Sequence, residues 1–181
     1  MKSVQVYYSG YAVVLNIENM LMIDIELLKE DEIINLCKIF YEKQKINSRL
    51  YKTKNGYRLF STNKIFDVKK DKGFLYEIYN FFHGDEGYLN MLYSYYLPRC
   101  QFDEKIKCKF HVRISPKNEN FVTFDQEKIK KHFFFYQKDN SIAVARYITS
   151  IGNGLILDEF KDFIIKHDKA TKAFLKDSIL V

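Results

Sequence analysis

"RLYKTKNGYRLFST", residues 49–62, is the stretch that decides how this chain folds. Two runs that alternate apolar with basic or polar residues lie on either side of "KNG". Asn-Gly between such runs is among the strongest short signals for a β-hairpin, because both residues tolerate positive φ. The stretch therefore predicts two antiparallel strands, at about residues 48–53 and 57–62, joined by a tight turn.

The segments before the hairpin predict a strand followed by a helix. "MLMIDIE", residues 20–26, is almost entirely apolar until Asp24 and Glu26, which suits a buried central strand with acids emerging toward its C-terminal end. "EDEIINLCKIFYEKQ", residues 30–44, carries apolar residues at helical spacing and acids in its first turn. Nearer the N-terminus, "VQVYY" and "YAVVLNI" predict two further strands.

The segments after the hairpin predict a helical region and another strand. Residues 71–82 and 86–97 are typical of helices, and "HGDEG" separates them. "KIKCKFHVRIS", residues 105–115, alternates basic and apolar side chains, as a strand does. Farther on, "FVTF" can pair back as a strand, "SIAVARYI" fits a strand or a helix, and "LDEFKDFIIKHDKATKAFL" predicts an amphipathic helix.

This order of elements predicts an α+β fold with a ferredoxin-like, or RNA-recognition-motif-like, βαββαβ core. The sheet would be mostly antiparallel, with extra N-terminal strands and a C-terminal helix. A chain of 181 residues that is 47% hydrophobic can bury one substantial core. We therefore expect a single domain over residues 1–181, with its core at about 20–115 and a strand and helix addition at about 120–181.

Cysteine usage and hydropathy limit the cellular compartments in which the protein is expected. Cys37, Cys100 and Cys108 form no CxxC pair, so neither a disulfide framework nor a zinc site is indicated. The apolar N-terminal segments are interrupted by Glu18 and Asp24, which argues against a signal peptide or a membrane span. We expect a reduced, soluble, cytoplasmic protein with no membrane partner.

Charge is distributed unevenly along the chain. Residues 1–42 hold seven acidic and three basic residues, whereas residues 43–72 hold ten basic and two acidic ones. A basic segment of that density attracts polyanions and releases counterions when it meets them. A Lys-rich solvated face would have the same composition, and the charge count favours neither interpretation.

Two acids supply a candidate metal site. Asp24 and Glu26 occupy alternate positions of one strand, so their side chains project to the same side. Together they could hold Mg²⁺ or Mn²⁺, with substrate phosphates completing the coordination shell. The commoner role for such acids is to meet Lys or Arg at the end of a strand. In a ferredoxin-like sheet the first and third strands are neighbours, which would place these acids beside the basic hairpin.

The histidines give weaker signals. No HxxxH or HxH spacing occurs, so they do not indicate a zinc site. His111 falls on the polar face of its strand between Lys109 and Arg113, where it could contact an anion or be merely exposed. His167 and Asp168 fall in the last predicted helix, where exposure to solvent or an interhelical hydrogen bond would explain them.

Two of these segments resemble motifs of the archaeo-eukaryotic primase and primase-polymerase palm. "LMIDIE" is similar to the acidic strand that opens that palm, and "YKTKNGYRLF" is similar to its Ser-Gly-(Arg/Lys)-Gly-(Phe/Tyr)-His-like hairpin. The resemblance covers about residues 20–115 and implies a core that handles nucleotides with a divalent metal. Arg58 stands at the place of the family's histidine, although arginine can still bind phosphate. The third acid of the family has no match on a later strand, since Asp103 and Glu104 precede the basic strand and Asp125 follows it.

We therefore expect a nucleic-acid- or nucleotide-binding protein with a degenerate primase-like core and no polymerase activity. An alternative is a phage- or mobile-element-encoded interaction module that inhibits a nucleic-acid enzyme through a protein contact. A metal-dependent nucleotidyltransferase is a further alternative. The expected metal ligands are Asp24 and Glu26, and the expected phosphate contacts are Arg49, Lys52, Lys54, Arg58, Arg113 and Lys117.

Overall fold

The α+β class with largely antiparallel sheets is confirmed by a computed structural model, which describes residues 5–9, 12–96, 110–117 and 125–181. The strands are β1 (Gln5–Ser9), β2 (Ala12–Ile17), β3 (Met22–Ile25), β4 (Ser48–Thr53), β5 (Tyr57–Ser61), β6 (Phe110–Arg113), β7 (Ile142–Ala143), β8 (Ala145–Ile151) and β9 (Ile179–Leu180). The helices are α1 (Glu30–Gln44), α2 (Lys72–Phe82), α3 (Glu86–Met91), α4 (Gln126–Lys138) and α5 (Asp158–Thr171). A short π-helical segment, Leu92–Tyr96, continues α3.

The central sheet has four antiparallel strands in the order β3-β5-β4-β8. The hairpin predicted from "KNG" is present as β4 and β5, and β3 pairs with β5, as the ferredoxin-like order requires for a β3–α1–β4–β5 unit. Strand β8 adds to the other edge beside β4. The fourth strand of the expected pattern, β6, forms its hydrogen bonds with β2, in a separate three-stranded sheet of order β1-β2-β6.

Strand β3 is buried although it lies at the end of the hydrogen-bonded strand order. Met22, Ile23 and Ile25 expose almost nothing, as the apolar run predicts. Its free edge is covered by the turn after α2, where Gly84 forms an isolated antiparallel bridge with Ile25. A Cβ on Gly84 would approach the Ile23 side chain to 2.6 Å, so glycine permits this close cover. Covering the edge satisfies backbone groups that a bare edge strand would leave open.

Helix α1 begins and ends where the sequence predicts. Three acids occupy its first turn, and the Glu32 carboxylate accepts a hydrogen bond from the Lys29 backbone N–H (2.8 Å). Lys45 ends the helix in the left-handed region, with φ of 56°. The apolar stripe of Ile33, Cys37 and Phe40 is buried in a hydrophobic cluster that also includes residues of β2, β3, β5, α2 and α5.

The C-terminal part differs most from the sequence-based expectation. Helix α4 was not predicted, although Asp125 caps it by accepting hydrogen bonds from the backbone N–H groups of Glu127 and Lys128. "SIAVARYI" is strand, divided into β7 and β8, and the last helix is present as α5. The predicted strand "FVTF" and the first five residues of "KIKCKFHVRIS" lie outside the described residues, and the remainder of the latter contains β6. Among the helices described, none is long and apolar enough to cross a bilayer.

Candidate phosphate-binding cleft

A cleft of about 300 Å³ lies where the hairpin tip, the end of β3 and strand β6 converge. Five of the residues predicted from the sequence line it, because the pairing of β5 with β3 brings basic and acidic segments together. These five are Asp24, Glu26, Lys54, Arg58 and Arg113. The remaining predicted residues lie elsewhere and are described below.

The hairpin tip is held against β3 by a glycine contact. A Cβ on Gly56 would lie 2.1 Å from the carbonyl oxygen of Ile25 and 2.8 Å from the Cα of Glu26, so only glycine allows this approach. Neither Asn55 nor Gly56 has positive φ, so the turn does not form for the reason expected from Asn-Gly. The tip is a three-residue turn closed by a hydrogen bond from the Thr53 N–H to the Gly56 carbonyl (2.9 Å).

Arg58 links three strands at the cleft. It stands opposite Asp24 in the β3–β5 register, and its Nε donates to Asp24 Oδ1 at 2.9 Å. Its Nη1 donates to the backbone carbonyl of Arg113 at 3.0 Å, which ties β5 to β6. The residue is only 5% exposed, so this arginine is occupied in holding three strands together. Asp24 therefore has the commoner of the two roles considered for it, an ion pair at a strand end.

Arg113 differs from Arg58 because the nearby Asp24 carboxylate offsets its charge only in part. It is half-buried, and among the residues that the structure describes none forms an ion pair or a hydrogen bond with its guanidinium. Burial lowers the pKa of Arg113, the nearby Arg58 charge lowers it further, and Asp24 offsets this only in part. A partly desolvated cation whose charge is only partly offset is a favourable place for an anion.

The carboxylates of the cleft are largely engaged in structural contacts. Asp24 is paired with Arg58, and the Asp85 carboxylate caps α3 by accepting from the N–H groups of Gly87 (2.8 Å) and Tyr88 (3.2 Å). Glu26 is exposed at the rim. Within the described ranges, no group of three or more His, Cys, Asp or Glu side chains is arranged to hold a metal ion.

Aromatic and imidazole groups complete the lining. His111 Nδ1 lies 2.6 Å from Asn16 Oδ1, and the Tyr88 hydroxyl accepts a hydrogen bond from the His111 backbone N–H. Tyr57 is buried, with the Lys52 ammonium 3.9 Å from its ring centroid. Asp85 and Tyr88 were not predicted as site residues. The signal that could have found them is the "HGDEG" break, which covers the edge of β3 beside Asp24: the Asp85 N–H donates to the Asp24 carbonyl at 3.0 Å.

Three of the predicted phosphate contacts do not line the cleft. Lys52 belongs to β4 and stacks over Tyr57, and Lys117 follows β6. Arg49 is engaged elsewhere: its Nη2 lies 2.6 Å from Asp168 Oδ2, and its guanidinium lies 4.4 Å from the ring centroid of Tyr147. The basic residues of the hairpin thus separate into a cleft-lining group and a group committed to packing.

Arg49 belongs to a buried polar network that the sequence did not reveal. Its Nε donates to the Tyr51 hydroxyl (2.5 Å), which in turn donates to Asp168 Oδ1 (2.6 Å). Burial would raise the pKa of Asp168, but hydrogen bonds from His167 and Tyr51 and the charge of Arg49 outweigh it and hold that pKa low.

His167 completes this network from α5 and is fully buried. Its Nδ1 lies 3.2 Å from Asp168 Oδ1, while its Nε2 has no hydrogen-bond partner among the described residues. The ring packs edge-on against Tyr51 and Phe60, with centroids 4.7 and 4.9 Å away. Burial lowers the pKa of His167 to about 4, so the imidazole is neutral at physiological pH.

Comparisons with protein-family models, with curated protein sequences and with solved structures give no match to this chain. The inference of function therefore rests on the geometry and electrostatics of the cleft.

Proposed function

We propose that this protein binds nucleic acid or a nucleotide, with a phosphate group in the cleft between the hairpin tip and β6. The observation that carries the proposal is Arg113, a half-buried guanidinium with no ion-pair partner among the described residues. A phosphate is the anion whose geometry a guanidinium matches with two parallel hydrogen bonds. Lys54, exposed on the hairpin tip, lines the same cleft and supplies a second cation.

The size of the cleft favours a small phosphate-bearing unit. A volume of about 300 Å³ is at the lower end of the range for small-molecule sites, and a single nucleotide or one nucleotide of a strand suits it. The lining holds as many carboxylates as cationic side chains, so net charge alone does not attract the ligand. Affinity would come from Arg113, whose guanidinium has no ion-pair partner among the described residues, in a cleft that Tyr88 also lines.

The proposal is for a binder with a primase-palm-like core, and it does not include polymerase chemistry. Two-metal nucleotidyl transfer needs carboxylates free to coordinate metal. Here Asp24 is paired with Arg58, and Asp85 caps a helix. The contact between Asp24 and the residue at the family's histidine position therefore favours binding over catalysis. The proposal retains the cytoplasmic setting expected from the sequence, whose three cysteines include no CxxC pair.

Fluorescence anisotropy with labelled single-stranded DNA, single-stranded RNA and a labelled nucleoside triphosphate tests the proposal. The variant Lys54→Gln/Arg113→Gln should bind at least about 10-fold more weakly than the parent. The slope of log affinity against log salt concentration should also be shallower, by the amount expected for the loss of about two phosphate contacts. The matched control is Lys38→Gln/Lys43→Gln, which removes two exposed charges of α1, outside the cleft. Equal affinity of both variants and the parent would exclude the cleft as the binding site.

A second assay separates the alternatives. Incubation with a primer, a template, nucleoside triphosphates and either Mg²⁺ or Mn²⁺ should give no incorporation. Incorporation that Asp24→Asn abolishes would instead establish the nucleotidyltransferase. If no nucleic acid or nucleotide binds at all, the proposal fails and the protein-interaction module becomes the better explanation.

A further inference from the structure

Helix α4 exposes two neighbouring phenylalanines to solvent. Phe134 is 53% exposed and Phe135 is 57% exposed, although both are large apolar side chains. Their rings are 5.9 Å apart at an interplanar angle of 70°. The apolar contacts of the helix with the rest of the protein are made by its opposite side, where Ile129 and Tyr136 are buried. Phe134 and Phe135 are therefore not needed to hold α4 in place.

Lysines surround these two rings. The Lys138 ammonium lies 4.1 Å from the centroid of the Phe134 ring. Lys131 is exposed one turn before the pair, and Lys130, on the same side, forms an ion pair with Glu127 at 2.9 Å. We call Lys131, Phe134, Phe135 and Lys138 the α4 face. It combines two exposed aromatic rings with a local excess of positive charge.

We propose that the α4 face binds single-stranded nucleic acid, with unpaired bases stacked on Phe134 and Phe135 and backbone phosphates at Lys131 and Lys138. Aromatic rings beside cationic groups are how proteins hold single strands without reading their sequence. The α4 face lies outside the cleft, so this is a second surface, and it does not require that the cleft bind anything. Its complementarity is to a partner that is both anionic and rich in flat aromatic groups.

A membrane surface fits the α4 face less well. An interfacial helix inserts a continuous apolar side into the lipid, whereas the apolar side of α4 is turned into the protein through Ile129 and Tyr136. A protein partner fits less well too, because the cores of protein interfaces are depleted of lysine. A single strand offers bases that stack on the two rings and phosphates that pair with the lysines.

The test uses the full chain and anisotropy of labelled oligo(dT) and oligo(A), with a duplex of the same length as comparison. Phe134→Leu/Phe135→Leu keeps exposed apolar area but removes the π faces, and Phe134→Tyr/Phe135→Tyr keeps the π faces. We expect the Leu variant to bind single strands at least about 10-fold more weakly and the Tyr variant to bind like the parent. Lys131→Gln/Lys138→Gln should reduce the salt dependence. Phe174→Leu, at a phenylalanine that is 62% exposed elsewhere, is the matched control and should have no effect.

Several outcomes would overturn the inference: equal binding by the Leu variant and the parent, a duplex bound as tightly as a single strand, or no binding of either homopolymer. Binding of the parent to vesicles of anionic phospholipid that the Leu variant retains, without oligonucleotide binding, would identify a membrane surface instead. If Lys54→Gln/Arg113→Gln loses binding and the Leu variant binds like the parent, the proposed function of the cleft stands and the proposal for the α4 face is refuted. The reverse pattern would refute the cleft and support the α4 face.

Discussion

Gly56 lies directly against the backbone of Ile25, so close that a Cβ at residue 56 would stand 2.1 Å from the Ile25 carbonyl oxygen. The obstructing atom belongs to the backbone of a buried strand, and it cannot rotate away as the end of a side chain could. The contact presses the hairpin tip onto the end of β3. It thereby sets the position of Lys54 and Arg58 relative to the acids of that strand.

Gly56→Ala should therefore destabilise the protein by about 2 kcal/mol or more, because either the hairpin tip or β3 must move. Urea denaturation measures the change in the free energy of unfolding. Gly73→Ala is the matched control: a Cβ there meets nothing within 4 Å, and alanine is the better helix former in α2. A Gly56→Ala protein as stable as the Gly73→Ala protein would contradict this account of the hairpin tip.

Asp24 and Arg58 should behave as a coupled pair. Asp24→Asn leaves the Arg58 guanidinium, which is 5% exposed, without a counterion, and we expect a loss of about 1–3 kcal/mol of stability. A double-mutant cycle with Arg58→Gln, followed by urea denaturation, measures the coupling energy. Strictly additive losses would show that the ion pair contributes nothing. Because Asp24→Asn is expected to lower stability, its nucleotide incorporation or binding must be compared with that of the parent under conditions in which both proteins are folded.

The elements predicted most accurately are those whose local signals agree with their tertiary role. The range of α1 follows from apolar spacing and first-turn acids, and the bounds of β4 follow from an alternation that stops at "KNG". Tertiary packing preserves these patterns. Helix α4 was missed because three consecutive phenylalanines, two of them exposed, mask the helical spacing of Ile129, Phe133 and Tyr136. The pairing of β6 with β2 depends on contacts across about a hundred residues, which no local pattern encodes.

The site could be predicted as a set of residues but not as a set of roles. Strand alternation predicts that Asp24 and Glu26 project to one side, and the order of strands predicts that they lie beside the hairpin. In the structure these two acids line the cleft together with Lys54, Arg58 and Arg113. Which arginine is paired depends on register and on distant helices. Arg58 meets Asp24 across a strand pair, and Arg49 meets Asp168, which is 119 residues away.

Arg49→Ala should reduce stability without weakening nucleic-acid binding. It removes the partner of the buried Asp168 carboxylate and a donor to Tyr51, which we expect to cost about 2–3 kcal/mol. Because Arg49 does not line the cleft, oligonucleotide affinity of the folded variant should match that of the parent. Thermal unfolding and anisotropy measure the two effects, and Lys43→Ala, at an exposed lysine, should change neither. A 10-fold loss of affinity in Arg49→Ala would restore Arg49 as a ligand contact.

His167 should make the protein less stable in weak acid. Burial lowers the pKa of His167 from 6.5 to about 4, so between these pH values the unfolded chain binds a proton that the folded chain excludes. Stability from this group is complete above pH 6.5, falls as the pH drops toward 4, and amounts to about 3 kcal/mol.

Urea denaturation at several pH values measures the slope of the unfolding free energy against pH. His167→Phe keeps a flat ring beside Tyr51 and Phe60 and should flatten the slope between pH 6.5 and 4, whereas His83→Asn, at an exposed histidine, should leave it unchanged. A slope that persists in His167→Phe would assign the acid sensitivity to other groups. Below pH 4 a further loss is expected in the parent, because hydrogen bonds from His167 and Tyr51 and the charge of Arg49 hold the pKa of Asp168 low, so that its protonation disfavours the folded state.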